Sequence, residues 1–597
     1  MEPHPASPVA EPVTRFARPT IGVIERAIMA RAVPSPISPL LAHDAVGYAR
    51  LDELTSILST GAMLRVSPPT IPPTGGPPGL PTRRAVNNHG SVKLYATQVR
   101  AQLEEEVAAG TTYVLGPHLP AEWCVPGSGL YVNPIGCVEK STSTATSPVI
   151  RLIVDASSGG VQSLNARISK STVDAADESG PSYLSNRVIA ATLLAAGPNA
   201  LYSLTDIKSA FHNIALDPSN YRFSVIHFEG VWYCQTRLGF GFRSSPDIFE
   251  VVMEAFDRIQ RTDRHLNILR IVDDVLNVDA PDVAARNTTI LRADMSKYGL
   301  PMATAKNVDQ LPEVRFNGLL WNAPTLSVTI PAPKIDDMRS CISAALLQFP
   351  PTLPTIESIT GKLQAVTCVV PDGKAHLQHL YRNLAITKLK APVRGRAIPF
   401  VATRFTRAEL SWWHTRLSSV TPRRLVSLAA ELLPTPDAVN VWTDASGTAL
   451  GAFVPSTGAW TFLSVPPNFA VNPTEHSDTI VAVGSTLIEV AAIVLALTTF
   501  GEGWHDRHVH IHCDNSGAVG VFTRHHSSSA NIGAMLTFAV DFCTARNITV
   551  HATWIEGVSN VIADAISRAN WAAFRLAAPE ANTHPTPCGA SPFLAML

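Results

Sequence analysis

The sequence predicts a multidomain chain of α+β and α/β units, and three observations carry that expectation. At about 150 residues per domain, its 597 residues make roughly four structural units. Between Val132 and Ile330, short β-rich runs alternate with helical stretches, an α+β order. From Val439 onward strands and one long apolar helix alternate again, after a helical interval. Hydrophobic residues make up 46% of the chain and charged residues 16%, so large cores are affordable in material and global disorder is excluded.

Residues 1–90 read as a Pro-rich, partly disordered region, with an extended linker from Ser67 to Pro81. Met1 to Pro19 holds Glu2, Glu11 and five prolines where a secretory leader needs an apolar run. An intracellular protein is expected, with cytoplasm and nucleus undistinguished. The folded body starts at Val92–Ala109, a predicted amphipathic helix with Leu103, Val107 and Ala108 on one face and Glu104, Glu105 and Glu106 largely on the other.

Residues 91–330 form the first predicted unit, with strands at Val149–Val154, Phe223–Phe228 and Val231–Gln235 and a helix at Pro246–Arg261. Residues 331–435 are a helical connection, with helices within Thr355–Ala385 and at Phe405–Leu417. Residues 436–573 form the second α/β unit, with strands at Asn440–Thr443, Ala449–Val454, Val509–Cys513 and Thr549–Ile555. Residues 574–597, rich in Ala and Pro, read as a flexible tail. Thr479–Phe500 is long and apolar enough for a bilayer. Glu489 near its middle is costly there, so a buried helix and no membrane partner are expected.

Lys+Arg 47 against Asp+Glu 48 gives a net charge of -1, so binding of a polyanion would need a local basic cleft and cannot rest on a global field. The eight cysteines show no C-x-x-C pair and no zinc spacing, which fits free thiols in a reducing compartment. His508, His510 and His512 alternate along one strand and share a face. They are read as residues of a β-edge in preference to a metal site.

Two groups of acids stand out. Asp206 ends the β-like run from Leu201, and Asp273-Asp274 joins Asn267–Val272 to Val275–Val278 as the turn of a tight hairpin. Three converging carboxylates are what two Mg²⁺ ions need while a 3′-hydroxyl attacks an α-phosphate. In the second group, Asp444 and Asp514 end predicted strands, Glu489 interrupts an apolar helix where an uncompensated charge is costly, and Asp564 lies on a short helix. These four would make a second two-metal site.

Asp206-Ile-Lys-Ser-Ala-Phe211, Leu238-Gly-Phe-Gly-Phe-Arg-Ser-Ser-Pro246 and Ile271-Val-Asp-Asp274 resemble, in order, three palm motifs of reverse transcriptases. Arg151-Leu-Ile-Val-Asp155 with Leu164-Asn165 resembles the fingers motif, and Val314-Arg-Phe-Asn-Gly-Leu319 the primer-grip strand. The resemblance spans about Val132 to Trp321. It implies a fingers-palm fold over 91–330 and a helical thumb and connection over 331–435. It implies that Asp206, Asp273 and Asp274 carry the catalytic metals and that Arg151, with Lys140, contacts the incoming triphosphate. Phe211 matches the aromatic that blocks a ribose 2′-hydroxyl, Phe240 the loop near nucleotide and template, and Lys306 the lysine near the leaving pyrophosphate. One departure is Ile271, where the family has Tyr or Phe.

Asp444, Glu489, Asp514 and Asp564 match the acid order of the ribonuclease H family, and Asn560-Val-Ile-Ala-Asp564-Ala-Ile-Ser-Arg568 resembles the ending of retrotransposon enzymes. The match implies a ribonuclease H-like domain that cleaves the RNA strand of an RNA/DNA hybrid. Trp554 to Asp564 lacks the histidine that some members carry before the last acid. Ile359-Thr-Gly-Lys-Leu363 and Val370-Pro-Asp-Gly-Lys374, followed by Leu380-Tyr381, resemble the connecting segment of the DIRS group of retrotransposons.

These resemblances imply an RNA template, a DNA or RNA primer, deoxynucleoside triphosphates and RNA/DNA hybrid as partners. They imply two Mg²⁺ per site, with Mn²⁺ as substitute, and a separate recombinase or integrase chain. A nuclease with a weakened polymerase, and a domesticated nucleic-acid binder without activity, are the competing expectations. Seven retained acids favour the active enzyme, because a binding protein has no need of such repulsive clusters.

Overall fold

The computed structural model describes residues 21–66, 87–124, 130–139, 148–159, 163–168, 183–390, 400–431, 437–465, 469–471 and 481–588. The chain divides into two compact units, each assembled from segments that are not contiguous. Residues up to Leu184 join Leu201–Leu311 in the first, and Ser185–Ala200 joins the residues from Pro312 onward in the second.

The strands of the first unit are β1 (Thr112–Gly116), β2 (Ile135–Glu139), β3 (Ile150–Val154), β4 (Leu201–Asp206), β5 (Val225–Phe228), β6 (Val231–Gln235), β7 (Ile268–Ile271), β8 (Asp274–Asp279) and β9 (Val308–Leu311). They form the antiparallel sets β1-β6-β5, β2-β3 and β7-β8-β4-β9. In the last of these β4 and β8 are interior, and five consecutive residues of each are buried, so both faces are covered.

The helix Ser245–Arg258 starts on Pro246, whose missing N–H falls where helical donors are unpaired anyway. It is buried over most of its surface through Ile248, Phe249, Val251, Val252, Met253, Ala255 and Phe256, with Glu254 exposed. It also buries Glu250 and Asp257, and Arg270 of β7 meets both: Nη2 lies 2.6 Å from Glu250 Oε2 and Nε 2.8 Å from Asp257 Oδ2. The chain continues beyond Arg258 as a wider π turn, Ile259–Asp263, where the sequence suggested helix up to Arg261. The strand expected from Phe223 begins at Val225, because Pro218–Phe223 is a 3₁₀ turn started by Asp217, whose side chain accepts from the Ser219 N–H.

Residues 21–66 of the N-terminal region carry three short helices. Helices Val23–Met29, Leu40–Asp44 and Leu51–Thr60 place Ile28, Leu41 and Leu54 fully inside the first core. The expected linker Ser67–Pro81 lies outside the described residues.

The second unit carries β10 (Glu313–Phe316), β11 (Leu319–Asn322), β12 (Ser327–Thr329), β13 (Arg423–Arg424), β14 (Val439–Ala445), β15 (Ala449–Val454), β16 (Ala459–Ser464), β17 (Phe469–Val471), β18 (Val481–Val483), β19 (His508–Cys513) and β20 (Thr549–Trp554). β10 to β13 form one antiparallel sheet in that order. Its last strand comes from a distant part of the chain, so the hairpin Glu313–Asn322 belongs with the second unit. The first unit therefore ends at Leu311, short of the expected Ile330. Helix Asn186–Ala196 packs on Leu425–Ala429, and Arg187 Nε donates to Glu431 at 2.7 Å.

A five-stranded sheet, β16-β15-β14-β19-β20, forms the rest, with the first three strands antiparallel and β14, β19 and β20 parallel. Helix Ser485–Phe500 lies against β14 and β15 and buries Ile488 through Leu497. Extended to Gly503, it is long and apolar enough to cross a membrane, yet it is the core helix of this sheet. β19 is interior, which corrects the β-edge reading of His508, His510 and His512.

Helix Trp571–Ala577 buries Phe574 against Phe453 and Trp460. Farther on, the Asn582 and Thr586 N–H groups donate to the Gly458 and Trp460 carbonyls at 2.8 and 2.7 Å. Up to residue 588 the expected flexible tail is therefore packed against β16.

Replacing Arg270 with Met would leave Glu250 and Asp257 buried without their cation, and removing one partner of a buried ion pair costs about 3–5 kcal/mol. Urea denaturation of Arg270→Met should show a loss of that order. Wild-type stability would refute the assignment of Arg270 as the compensating charge.

Candidate active sites

Antiparallel register sets Asp206, the last residue of β4, opposite Asp274, the first of β8. Asp273 occupies the turn between β7 and β8. Val272 reverses the chain there with φ of 53°, a left-handed conformation unusual for a β-branched residue. The Asp273 carbonyl accepts from the Ile207 N–H at 3.0 Å, which ties the turn to the end of β4. The structure thus brings the three carboxylates to one end of two interior strands.

Burial governs their titration. It raises the Asp274 carboxyl to about 6, with repulsion from Asp273 and Asp206 adding to it. Burial likewise raises Asp273, against the pull of Lys306 and Arg151. Lys306 Nζ donates to both oxygens of Asp206, at 3.1 and 2.8 Å. The sequence suggested Lys306 for a leaving pyrophosphate, and the structure places it as the ion-pair partner of an acid.

Arg151 on β3 carries its guanidinium 5.2 Å from the centre of the Phe240 ring. That ring lies 4.9 Å from Phe211, which also meets Phe249 edge-on at 5.6 Å. Phe211 therefore packs on the core and faces the loop of the second palm-like motif. This loop is pinned by its main chain: the Phe240 carbonyl accepts from the Val154 N–H at 3.2 Å, and the Gly241 carbonyl from Asn165 Nδ2 at 2.7 Å. Asn165 Oδ1 accepts in turn from the Arg243 N–H at 2.8 Å. Gly241 has φ of +121°, and a Cβ there would stand 1.9 Å from the Val154 carbonyl oxygen, so only glycine fits. Asn165 and Gly241 entered the sequence reading as motif letters, without this clamping role. Lys140 lies outside the described residues.

In the second unit Asp444 sits on β14, Glu489 on the core helix, Asp514 just after β19 and Asp564 on helix Val561–Ser567. Asp444 accepts from Ser567 Oγ at 2.5 Å and from Asn560 Nδ2 at 3.3 Å. Asn560 also donates to the Thr443 carbonyl at 3.0 Å. Gly451 lets the Asp564 helix ride on β15, since a Cβ there would stand 2.8 Å from the Ser567 nitrogen. Glu489, Cys513 and Asp514 offer ligand atoms that all lie within 4.8 Å of one another. Asp564 is more exposed and pairs with Arg568 at 2.6 Å.

Burial first, then Asp444 and Asp514, push the Glu489 carboxyl up to about 9. Burial also raises Asp444 to about 6, against the Ser567 hydrogen bond. The Trp554 indole donates to the Asp514 carbonyl at 2.8 Å, and its ring is half exposed beside the site. Ser567 and Asn560 carry a bonding role the motif reading did not assign. The signal was present in their spacing to Asp564 on one helical turn.

Both donor sets fit a hard divalent cation, being crowded carboxylate oxygens that burial first, and mutual repulsion after it, makes costly to ionise without a counter-charge. Both are placed to carry out metal-assisted chemistry on a phosphodiester. A raised carboxyl favours folding below its unfolded pKa and loses that contribution as pH rises through the folded pKa. For Glu489 and Asp444 that window runs from the ordinary carboxylate range to about 9 and about 6. In EDTA the thermal unfolding midpoint should therefore fall as pH rises from 5 toward 9, and Mg²⁺ should reverse part of the fall. Glu489→Gln should flatten the slope. An unchanged slope in that variant would contradict the burial argument.

Residues 147–319, less than a third of the chain, match the family model of the reverse transcriptase (RNA-dependent DNA polymerase). No curated protein matches. Among solved structures, the foamy viral protease-reverse transcriptase in complex with RNA/DNA hybrid is similar at 12% identity and a TM-score of 0.43, with 91% of this chain and 64% of that chain covered. The same protein in complex with dsDNA gives 13% identity and a TM-score of 0.42, with 91% and 99% covered. The segment matched by the reverse transcriptase family model holds Arg151, Phe211, Phe240 and the acids Asp206, Asp273 and Asp274.

Proposed function

We propose that the chain is the RNA-directed DNA polymerase of a retroelement, and that its second unit hydrolyses the RNA strand of RNA/DNA hybrids. The observation that carries this reading is the pair of carboxylate groups, each gathered around interior strands and each holding acids that, among the described residues, form no ion pair. Mg²⁺, with Mn²⁺ as substitute, would supply Lewis acidity for the attacking hydroxyl or water and for the leaving oxygen. Asp206, Asp273 and Asp274 would hold it in the first site, and Asp444, Glu489, Asp514 and Asp564 in the second.

Around the first site, Arg151 is the cation for an incoming deoxynucleoside triphosphate, and its position over Phe240 restricts where its charge can reach. Lys306 holds Asp206 in place through two hydrogen bonds. Phe211, fixed between Phe240 and Phe249, presents a rigid edge to the sugar. RNA template and a DNA or RNA primer would need local basic residues on this unit, for which Arg243 is one candidate.

In the second unit Ser567 and Asn560 orient Asp444, and the acid order on β14, the core helix, the end of β19 and helix Val561–Ser567 supports a ribonuclease H-like assignment. The segments Ile359–Leu363 and Val370–Lys374 favour a DIRS-like element, which would rely on a separate recombinase or integrase chain. Ile271 favours a second reading, a nuclease with weakened polymerase: it pairs with Asp274 in the hairpin, so a branched aliphatic stands beside the acids in place of an aromatic.

Asp273→Asn should abolish primer extension on an RNA template with Mg²⁺ while the circular dichroism stays unchanged, and undiminished extension would refute the site. Asp514→Asn should stop cleavage of RNA in a hybrid and spare short primer extension. Loss of both activities in a folded Asp514→Asn protein would refute two independent sites. Phe211→Val should relax sugar selection, since bulk exclusion of one hydroxyl is worth about 10²-fold. Single-nucleotide kinetics showing the same ribose to deoxyribose ratio in wild type and Phe211→Val would place the gate elsewhere.

A further inference from the structure

The histidines of the five-stranded sheet serve neither carboxylate group. His510 and His512 lie two residues apart on β19 and so share a face, and His551 on β20 is the register partner of His510. Their rings gather closely: the centres of His510 and His512 are 4.1 Å apart, and those of His510 and His551 5.2 Å. All three are half-buried.

The hydrogen bonds around these rings leave lone pairs over. His512 Nε2 lies 2.9 Å from Asn440 Oδ1, and Asn440 Nδ2 donates to the Ala438 carbonyl at 3.2 Å, which fixes the orientation of the amide. An amide oxygen only accepts, so His512 carries its proton on Nε2 and presents a lone pair on Nδ1. His510 Nε2 lies 2.7 Å from Thr553 Oγ1, a hydroxyl that can accept its proton, and in that tautomer Nδ1 of His510 presents a lone pair as well. Neither Nδ1, and neither nitrogen of His551, has a hydrogen-bond partner among the described residues. Trp442 stacks on His512 at 4.3 Å and 18°, which holds that ring plane. Metal-bound histidines characteristically have the second nitrogen engaged in this way.

We propose that His510, His512 and His551 form a binding site for one Zn²⁺ ion, with solvent in the fourth position. Three imidazole nitrogens suit Zn²⁺ and its neighbours in the transition series, and do not suit Mg²⁺. The site requires the ring of His551, which has no hydrogen bond among the described residues, to turn toward the other two, because the three rings as they stand do not bring their nitrogens within 4.8 Å of one another. His512, the member nearest Asp514, lies two residues from it, about 7 Å along the strand at roughly 3.3 Å per residue, so the site adjoins the carboxylates without sharing a residue with them. The ion would fasten β20, an edge strand, to β19, the strand that delivers Asp514.

The test uses the full chain, stripped of metal and supplied with excess Mg²⁺ to occupy the carboxylates, then titrated with Co²⁺ as a spectroscopic probe and displaced with Zn²⁺. One equivalent with the intense visible bands of tetrahedral nitrogen ligation is expected. His510→Gln and His551→Gln should each weaken binding at least about tenfold, and Asp514→Asn should leave it unchanged. Bands that persist in the double histidine variant, or no Co²⁺ uptake by the wild type, would overturn the proposal. X-ray absorption of the Zn²⁺-loaded wild type gives an answer independent of how the variants fold: three imidazoles support the site, and oxygen ligands alone refute it.

Discussion

Arg270 anchors the hairpin on which the first site is built. Its guanidinium sits between Glu250 and Asp257 of the most buried helix of the first unit, and its Nη1 donates to the Val272 carbonyl at 3.2 Å. The same cation therefore neutralises two core acids and clamps the residue whose left-handed φ reverses the chain ahead of Asp273 and Asp274. Unit charges 4 Å apart repel by about 4 kcal/mol at an effective dielectric of 20. A turn free to relax would let the acids separate. The clamp behind Val272, the pairing of β8 with β4 and the bond from Ile207 to the Asp273 carbonyl leave them no such path.

The second group solves the same electrostatic problem with neutral donors. Ser567 and Asn560 hold Asp444 through hydrogen bonds, so the acid is positioned without being discharged. Glu489 rises from a helix that is otherwise apolar, and its surroundings keep its proton on up to about 9. Among the described residues, Lys306 pairs with one acid of the first group and Arg568 with one of the second. On the proposed function, cation affinity in the second group would come from crowding, and in the first it would be tempered by a lysine that a substrate phosphate would compete for.

Much of this was legible in the chain because acids at strand ends follow short alternating or apolar runs. Leu201–Thr205 announces Asp206, and the run from Val509 announces Asp514. The hairpin carrying Asp273 and Asp274 was legible from two β-like runs flanking an acidic pair. Pairings across long sequence separations were not. β13 closing the sheet of β10 to β12, and helix Asn186–Ala196 packing on Leu425–Ala429, leave no local periodicity to read. Interior placement of β19 was missed for the same reason, since alternation of His with Val and Ile describes a strand with two unlike faces and says nothing about its neighbours. The N-terminal helices were legible as short helical stretches between prolines, but not that Ile28, Leu41 and Leu54 seat each of them in the core.

Helix Asn186–Ala196 also sets an order of events during synthesis. Its buried face, Ile189, Ala190 and Leu193, belongs to a unit whose other residues begin at Pro312, and its packing partner Leu425–Ala429 is made far later. At about 5–20 residues per second, this apolar face waits on the order of tens of seconds after leaving the ribosome. The flanking segments fold into the first unit meanwhile and hold both ends of the helix. Folding of the second unit is thus seeded inside the sequence of the first, and its completion depends on a surface that the nascent chain must keep from aggregation until translation has passed the connection.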